Sequence, residues 1–187
     1  TKVKPTAPNN VTPIAAVLRV SSTDGELFVR PTVEQKESYG RFARTSNFTF
    51  DEVNTAYAIS YDTVEITNGA DLGTSDSEII VEQSGFYQID INIQADATGG
   101  GFSDATLYCW LRVNGTDVEN STRKQGLLGS MPTSTFAYAI AISLGEGDAL
   151  EVMVASNEQD VVLDSEAATS FSPGTASVLV SVTQIQL

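Results

Sequence analysis

The chain has 187 residues, of which 41% are hydrophobic, and a formal net charge of −14, with no histidine and one cysteine. This length and composition suffice for one substantial hydrophobic core, so we expect a single domain with an appendage. The lack of histidine excludes most proton-transfer and zinc chemistry, and one cysteine cannot form a disulfide within the chain, so we expect no enzyme activity, no metal and no cofactor.

Charge is distributed unevenly along the chain. Residues 1–44 contain seven basic and four acidic residues, a net charge of +3, which leaves −17 for the remainder. An acidic body repels the phosphates of nucleic acid, and no run of about 18 apolar residues is present, so we expect neither a nucleic-acid nor a membrane partner. The basic segment either docks on an acidic surface, of this chain or of another protein, or keeps a loose terminus in solution.

Residues 1–38 are predicted to form an extended N-terminal arm. Prolines among residues 1–16 favour an extended tail. Residues 17–20 and 26–30 have strand-like sequences on either side of a turn-rich segment, which indicates a hairpin. A two-stranded hairpin is marginally stable alone, so it needs a surface to lie on. We expect the arm to anchor the protein through Lys2, Lys4, Val17, Leu18, Arg19, Leu27, Phe28 and Arg30.

Residues 39–187 are predicted to form a β domain. Short strands are expected at residues 39–42, 48–50, 56–61, 64–66 and 78–81, with a loop at 68–73. Longer strands with period-two alternation are expected at 86–94, 106–113 and 136–144, and another strand at 149–155. Asn114 and Gly115 predict a tight hairpin turn, and residues 120–135 a long polar loop. The fold class is therefore all-β, with the strand spacing of an antiparallel β-sandwich.

The strand predicted at 106–113 has one apolar face and one mixed face. We expect Cys109, on the apolar face, to be a small buried side chain. Tyr108 and Trp110 point the other way. Outward aromatic side chains often mark a contact with a partner, but these two can equally lie beneath the loop predicted at 120–135.

The last predicted strand, residues 177–187, has apolar residues at both odd and even positions. A strand that is apolar on both faces needs cover on both of them. It therefore lies either in the middle of a monomeric sandwich or at a contact between subunits.

Several short motifs follow one another in an order that resembles a known family. They are Ser84-Gly85-Phe86-Tyr87-Gln88-Ile89, Trp110-Leu111-Arg112-Val113-Asn114-Gly115, the run Ile142-Ser143-Leu144-Gly145-Glu146-Gly147-Asp148 and a last strand. This order resembles the jelly roll of tumour necrosis factor ligands and of the globular heads of complement-type collagenous proteins. Tyr39, Gly40 and Phe42, followed by Asn54-Thr55-Ala56-Tyr57, resemble the variant found in bacteriophage structural proteins.

The resemblance implies a homotrimer in which the inner sheets of three jelly rolls meet at a three-fold axis. It implies that the strands of Tyr87 and Met153 lie beside the last strand. The trimer interface would then comprise Gln88, Asp90, Asn92, Met153, Val178, Val180 and Val182. Three Asp90 carboxylates near one axis could bind a cation, but Asn and Gln side chains with water would serve as well.

Our hypothesis is a bacteriophage virion protein at the capsid surface. It would be a homotrimeric decoration or cement protein, fastened by its arm to the major capsid protein or another virion protein. The principal alternative is a fibre or spike head that binds a host-surface glycan or protein through loops at 120–135 and 99–103; a third is a secreted ligand of the tumour necrosis factor type.

Six acidic residues in predicted loops do not have the spacing of a calcium-binding loop, and we expect them to be solvated. They are Asp71, Asp76, Glu78, Asp160, Asp164 and Glu166.

Overall fold

The computed structural model describes residues 16–20, 25–28, 37–97, 105–127 and 133–185. The chain divides into two units, Thr1–Lys36 and Glu37–Leu187. All regular secondary structure in the described residues is β-strand, in sixteen strands. That part of the chain contains no helix that is long and apolar enough to cross a membrane.

The described residues of the first unit form a hairpin. Strands β1 (Ala16–Val20) and β2 (Gly25–Phe28) pair antiparallel, and their register shifts between Val17 and Arg19. Five of the predicted anchoring residues lie on these strands: Val17, Leu18, Arg19, Leu27 and Phe28. The other three, Lys2, Lys4 and Arg30, lie outside the described residues, as does most of the segment where the arm would join the domain.

The second unit contains two antiparallel sheets, of which we call the first sheet I. Its strands are β3 (Tyr39–Arg44), β4 (Phe48–Thr49), β6 (Thr63–Asn68), β9 (Gly85–Ala97), β13 (Thr133–Leu144), β15 (Val161–Leu163) and β16 (Val178–Ile185). Strand β9 pairs with β13 along one edge and with both β16 and β15 along the other. Strand β16 in turn pairs with β3, and β3 with β6.

Sheet II is built around two adjacent strands, β10 (Ala105–Val113) and β14 (Ala149–Ser156). The remaining strands of this sheet are β5 (Tyr57–Ala58), β7 (Ala70–Leu72), β8 (Ile79–Val81), β11 (Thr116–Asp117) and β12 (Arg123–Leu127). Strands β11 and β12 pair with the free edge of β10, and β5 and β8 with the free edge of β14. Strand β7 extends the sheet beyond β8.

Eight of these strands pair in a nested order. The first strand of the eight, β3, pairs with the last, β16, and the second, β8, pairs with the seventh, β14. The third, β9, pairs with the sixth, β13, and the fourth, β10, pairs with the fifth, β12. The chain therefore folds back on itself as one long antiparallel ribbon whose strands are distributed between two sheets.

The two sheets share one hydrophobic core. Period-two alternation places one face of each long strand in that core, as the sequence predicts. The buried side chains are Tyr87, Ile89, Ile91 and Ile93 of β9, Leu107, Cys109 and Leu111 of β10, Leu150, Val152 and Val154 of β14, and Val178, Val180 and Val182 of β16. Each fully buried aliphatic side chain contributes about 1.5–3 kcal/mol relative to an exposed one.

The strand that is covered on both faces within this chain is β14, not β16. Met153 and Ala155 point away from the shared core, yet they are only 2% and 9% exposed. They lie directly opposite Trp110 and Tyr108 on β10. On β16, the outward residue Leu179 is partly exposed. The sequence predicts cover on both faces of the last strand. Within this chain the core covers one face, and the other face is partly exposed.

Three further sequence expectations need correction. Residues 68–73 were expected to be a loop but contain β7, and residues 120–135 contain β12. The prediction that the Tyr87 strand lies beside the last strand is confirmed, because β9 pairs with β16. The same prediction for the Met153 strand is wrong, because β14 belongs to sheet II.

Two turns at one end of sheet II are joined by hydrogen bonds, and we call this contact the turn clasp. Asn114 and Gly115 have the positive φ angles, 49° and 76°, of a tight hairpin turn. The Asn114 side chain donates to Asp148 Oδ1 (2.8 Å) and accepts from the Ala149 amide (2.9 Å). Asp148 Oδ2 accepts from the Gly145 amide at 2.7 Å. These hydrogen bonds lower the pKa of Asp148, with the bond from Asn114 as the largest cause.

Two strand glycines provide a matched test of this packing. A Cβ atom on Gly40 would lie 2.6 Å from the Phe42 ring and 2.7 Å from the Ala70 carbonyl oxygen, whereas one on Gly126 would have no neighbour within 4 Å. We expect Gly40→Ala to lower the free energy of unfolding by about 1–3 kcal/mol. Gly126→Ala should change it by less than about 1 kcal/mol, in the stabilising direction. Urea denaturation followed by circular dichroism measures both, and equal effects would contradict the packing around β3.

Candidate functional site

The outward surface of sheet I contains a regular grid of small and polar side chains, which we call the small-residue face. Strands β13, β9 and β16 lie side by side there, and their register aligns three rows. The rows are Ala137, Asn92 and Leu179; Ala139, Asp90 and Ser181; and Ala141, Gln88 and Thr183. All nine residues are exposed or partly exposed.

The small-residue face is nearly uncharged. Its three alanines are exposed on β13, where a strand on the surface of an acidic protein would more often present charge. Asp90 is its single ionisable residue, and the Gln88 amide donates to both carboxylate oxygens of Asp90 at 3.1 Å. The next row along the sheet includes Phe86, which is 49% exposed. Low charge and small side chains are compatible with close approach of another protein surface.

The predicted trimer interface residues divide among three different places. Gln88, Asp90 and Asn92 lie together on the small-residue face. Val178, Val180 and Val182 are on the opposite face of the same sheet, with 0% exposure, so their side chains are unavailable to a partner. Met153 is on sheet II and is 2% exposed. The assignment of these three valines and Met153 to the interface is wrong, because the core of this chain or its second sheet already buries them.

A hollow of about 470 Å³ lies on the outward surface of sheet II, and we call it the Trp110 hollow. Tyr108 and Trp110, two residues apart on β10, share its floor with Ala155 of β14. The other lining residues are Asn54, Asp117, Val118, Glu119, Asn120 and Thr122. The two outward aromatic residues are therefore beside a hollow, and the chain that borders them is the segment 117–122.

The wall of the Trp110 hollow is fixed to β10 by backbone and side-chain hydrogen bonds. The Val118 amide donates to the Leu111 carbonyl at 2.9 Å. The buried Ser121 hydroxyl accepts from the Leu111 amide at 3.0 Å and donates to the Val118 carbonyl at 2.7 Å. Residues 118–121, between β11 and β12, thus satisfy the backbone amide and carbonyl of Leu111. These hydrogen bonds hold the turn in place.

Asp117 orients the aromatic floor. The indole Nε1 of Trp110 donates to Asp117 Oδ1 at 2.9 Å, and Arg112 Nε donates to the same oxygen at 2.8 Å. The bond from Arg112, followed by that from Trp110, lowers the pKa of Asp117. Asp117 is therefore ionised at neutral pH, and its second oxygen is left to accept other donors.

Opposite the hollow, on the core side of β10, Cys109 is buried. Tyr138 Oη lies 3.5 Å from its sulfur. Burial raises the pKa of the Cys109 thiol to about 12, and the Tyr138 contact lowers it only in part. The thiol is consequently a packed core group with almost no nucleophilic thiolate at neutral pH.

Sequence reasoning missed Phe171, which is 88% exposed. It lies in the loop between β15 and β16, where Glu166 and Thr175 form a bridge and the Thr169 amide donates to the Ser172 carbonyl at 2.9 Å. A phenylalanine between Thr-Ser and Ser-Pro-Gly, outside any alternating pattern, was the available signal. The acidic residues of this and other loops form no group placed to bind a metal ion within the described residues.

The chain matches no protein-family model, and no curated protein matches it.

Reactivity of Cys109 tests the placement of β10. We expect the folded protein to react very slowly with the disulfide reagent DTNB at pH 8, because the thiol is buried and its pKa is about 12. In guanidinium chloride the same thiol should react fully, at one equivalent per chain. Rapid and complete reaction without denaturant would show that the Leu107 to Leu111 face of β10 is open to solvent.

Proposed function

We propose that this chain is a bacteriophage virion protein that forms homotrimers at the capsid surface and acts as a decoration or cement protein. The observation that supports this most is the nested strand pairing, in which the first strand of the domain pairs with the last. This pairing, with eight strands divided between two sheets, supports a jelly roll. The fold proposed for residues 39–187 is therefore a jelly-roll sandwich of the tumour necrosis factor type.

The small-residue face supports assembly through sheet I. In the proposed trimer this face points toward the three-fold axis, so that Gln88, Asp90 and Asn92 belong to the interface while the valines of β16 stabilise each subunit from within. Its low charge matters because the chain has a net charge of −14, and like-charged surfaces repel when they approach. A contact through a face with one carboxylate among nine residues reduces that cost.

The N-terminal unit is proposed as the anchor to the capsid. Its hairpin of β1 and β2 is a two-stranded element, which is marginal alone and gains from packing on another surface. Residues 1–36 contain five basic and three acidic residues, and this net charge of +2 suits an acidic partner surface. The proposed partner is the major capsid protein or another virion protein.

A second candidate function is a receptor-binding head of a fibre or spike. The Trp110 hollow favours it, because a concave site with two aromatic residues and several polar side chains suits a ligand. Of the loops expected to make this contact, 99–103 lies outside the described residues, while residues 120 and 122 do line the hollow. Copy number per particle separates the candidates, because decoration proteins cover the shell whereas heads are few.

An arginine on the small-residue face should prevent trimer formation. Ala137→Arg places a guanidinium at the end of an uncharged row, beside Asn92 and on the far side of it from Leu179, where three copies would repel one another and clash. We expect sedimentation velocity to show a trimer for the unmodified chain and a folded monomer for this variant. Ala168→Arg, at an exposed alanine in the loop before β16, is the matched control and should remain trimeric. A monomeric unmodified chain, or a trimeric Ala137→Arg, would contradict the proposed interface.

Deletion of residues 1–30 tests the anchor. The truncated protein should keep the mass and circular dichroism of the trimer but should no longer bind to capsids that lack the protein. Binding of the full chain should weaken as salt is raised, because charge attraction is screened over about 8 Å at physiological ionic strength. Co-sedimentation with capsids measures both effects. Equal binding by the truncated and full chains would exclude the arm as the anchor.

A further inference from the structure

We propose that the Trp110 hollow binds an uncharged pyranose sugar, such as a hexose or N-acetylhexosamine at the end of a glycan. All of its lining residues belong to one chain and to the described part of the second unit. The proposal therefore depends neither on trimer formation nor on the position of the protein in a particle.

The aromatic floor suits the apolar face of a sugar ring. Tyr108 and Trp110 are two residues apart on one strand, so their side chains leave the sheet on the same side, about 7 Å apart. The C–H groups of a pyranose form an apolar, slightly positive face, which packs favourably against the negative face of an aromatic ring. Tyrosine and tryptophan also keep a polar group at the ring edge that can bond to hydroxyls.

The polar lining suits hydroxyl groups. Asn54, Asn120 and Thr122 can each donate and accept hydrogen bonds, while Asp117 and Glu119 accept them. A sugar hydroxyl both donates and accepts, so it can use every one of these groups. A few polar groups around an apolar floor are also the usual arrangement of a small-ligand pocket of this size.

The charges of the lining select against anionic ligands. Asp117 and Glu119 are the acidic lining residues, the nearby Arg112 is already bonded to Asp117, and Lys124, opposite Tyr108 on β12, is not a lining residue. A phosphate or an acidic sugar would meet these carboxylates at short range. Beside the two aromatic residues, Val118 and Ala155 are the aliphatic lining residues, so most of the apolar surface of the hollow is aromatic.

The hollow is organised before a ligand arrives. Hydrogen bonds fix the wall at Leu111, and Asp117 fixes the Trp110 indole. Asn54 and Asn120 are held in left-handed backbone conformations, with φ angles of 55° and 61°. Binding therefore requires little ordering of loops or side chains, which is a main cost of association with a small ligand.

Trp110 is the only tryptophan of the chain, so its fluorescence reports directly on the hollow. The full chain is titrated with glucose, galactose, mannose, N-acetylglucosamine and N-acetylgalactosamine, with N-acetylneuraminic acid as the anionic comparison. We expect a saturable change with at least one uncharged sugar, with a dissociation constant in the millimolar range, and none with the anionic sugar. No saturable change with any uncharged sugar, or a change with the anionic sugar alone, would overturn the proposal.

Variants that retain Trp110 identify the site. Tyr108→Ala should weaken binding about tenfold or more, and Tyr108→Phe should keep most of it because the ring remains. Asn120→Gly removes the amide but tolerates the positive φ, so a loss of affinity there reports the side chain and not backbone strain. Phe171→Ala removes an exposed aromatic residue that does not line the hollow and should leave affinity unchanged. Unchanged binding by Tyr108→Ala, or an equal loss in Phe171→Ala, would place the sugar elsewhere and overturn the assignment.

Discussion

The apolar row of β9 is the constraint on which both sheets depend. Tyr87, Ile89, Ile91 and Ile93 are fully buried, while the residues between them point outward. A slip of one residue against β13 or β16 would turn this row to solvent and bury Gln88, Asp90 and Asn92 instead, so burial fixes the register on both edges of the strand. The same register aligns the three rows of the small-residue face. The arrangement of the small-residue face therefore follows from the packing of the core.

The alternating strands could be predicted from sequence because each gives a strong local signal. The period-two patterns of β9, β10 and β13 locate these strands, and the outward direction of Tyr108 and Trp110 follows from the same pattern. Strands β7 and β12 were missed because one has three residues and the other reads Arg-Lys-Gln-Gly-Leu, which has no apolar alternation. Which strands pair is not encoded in any single segment, so Met153 was assigned to the wrong sheet. The residues that complete the Trp110 hollow come from turns, whose placement depends on hydrogen bonds to β10.

The two candidate surfaces lie on opposite sheets of the same unit and differ in chemistry. The small-residue face has one carboxylate among nine small or polar side chains, which favours contact with a second protein surface. The Trp110 hollow has aromatic rings and charged acceptors around a concavity, which favours a small polar ligand. Assembly through one sheet would leave the other exposed to the exterior. The two proposed functions therefore use separate surfaces of the unit.

The turn clasp has a consequence for behaviour in acid. One carboxylate, Asp148, joins the turn after β10 to the turn before β14, and its pKa is lowered by those bonds. The stabilising effect of the Asp148 hydrogen bonds is present above the ordinary aspartate pKa of about 4. It is lost only as the pH falls through the lower pKa that Asp148 has in the folded protein. The chain also has no histidine to change charge near neutrality. The turn clasp should accordingly stay formed in mildly acidic solution.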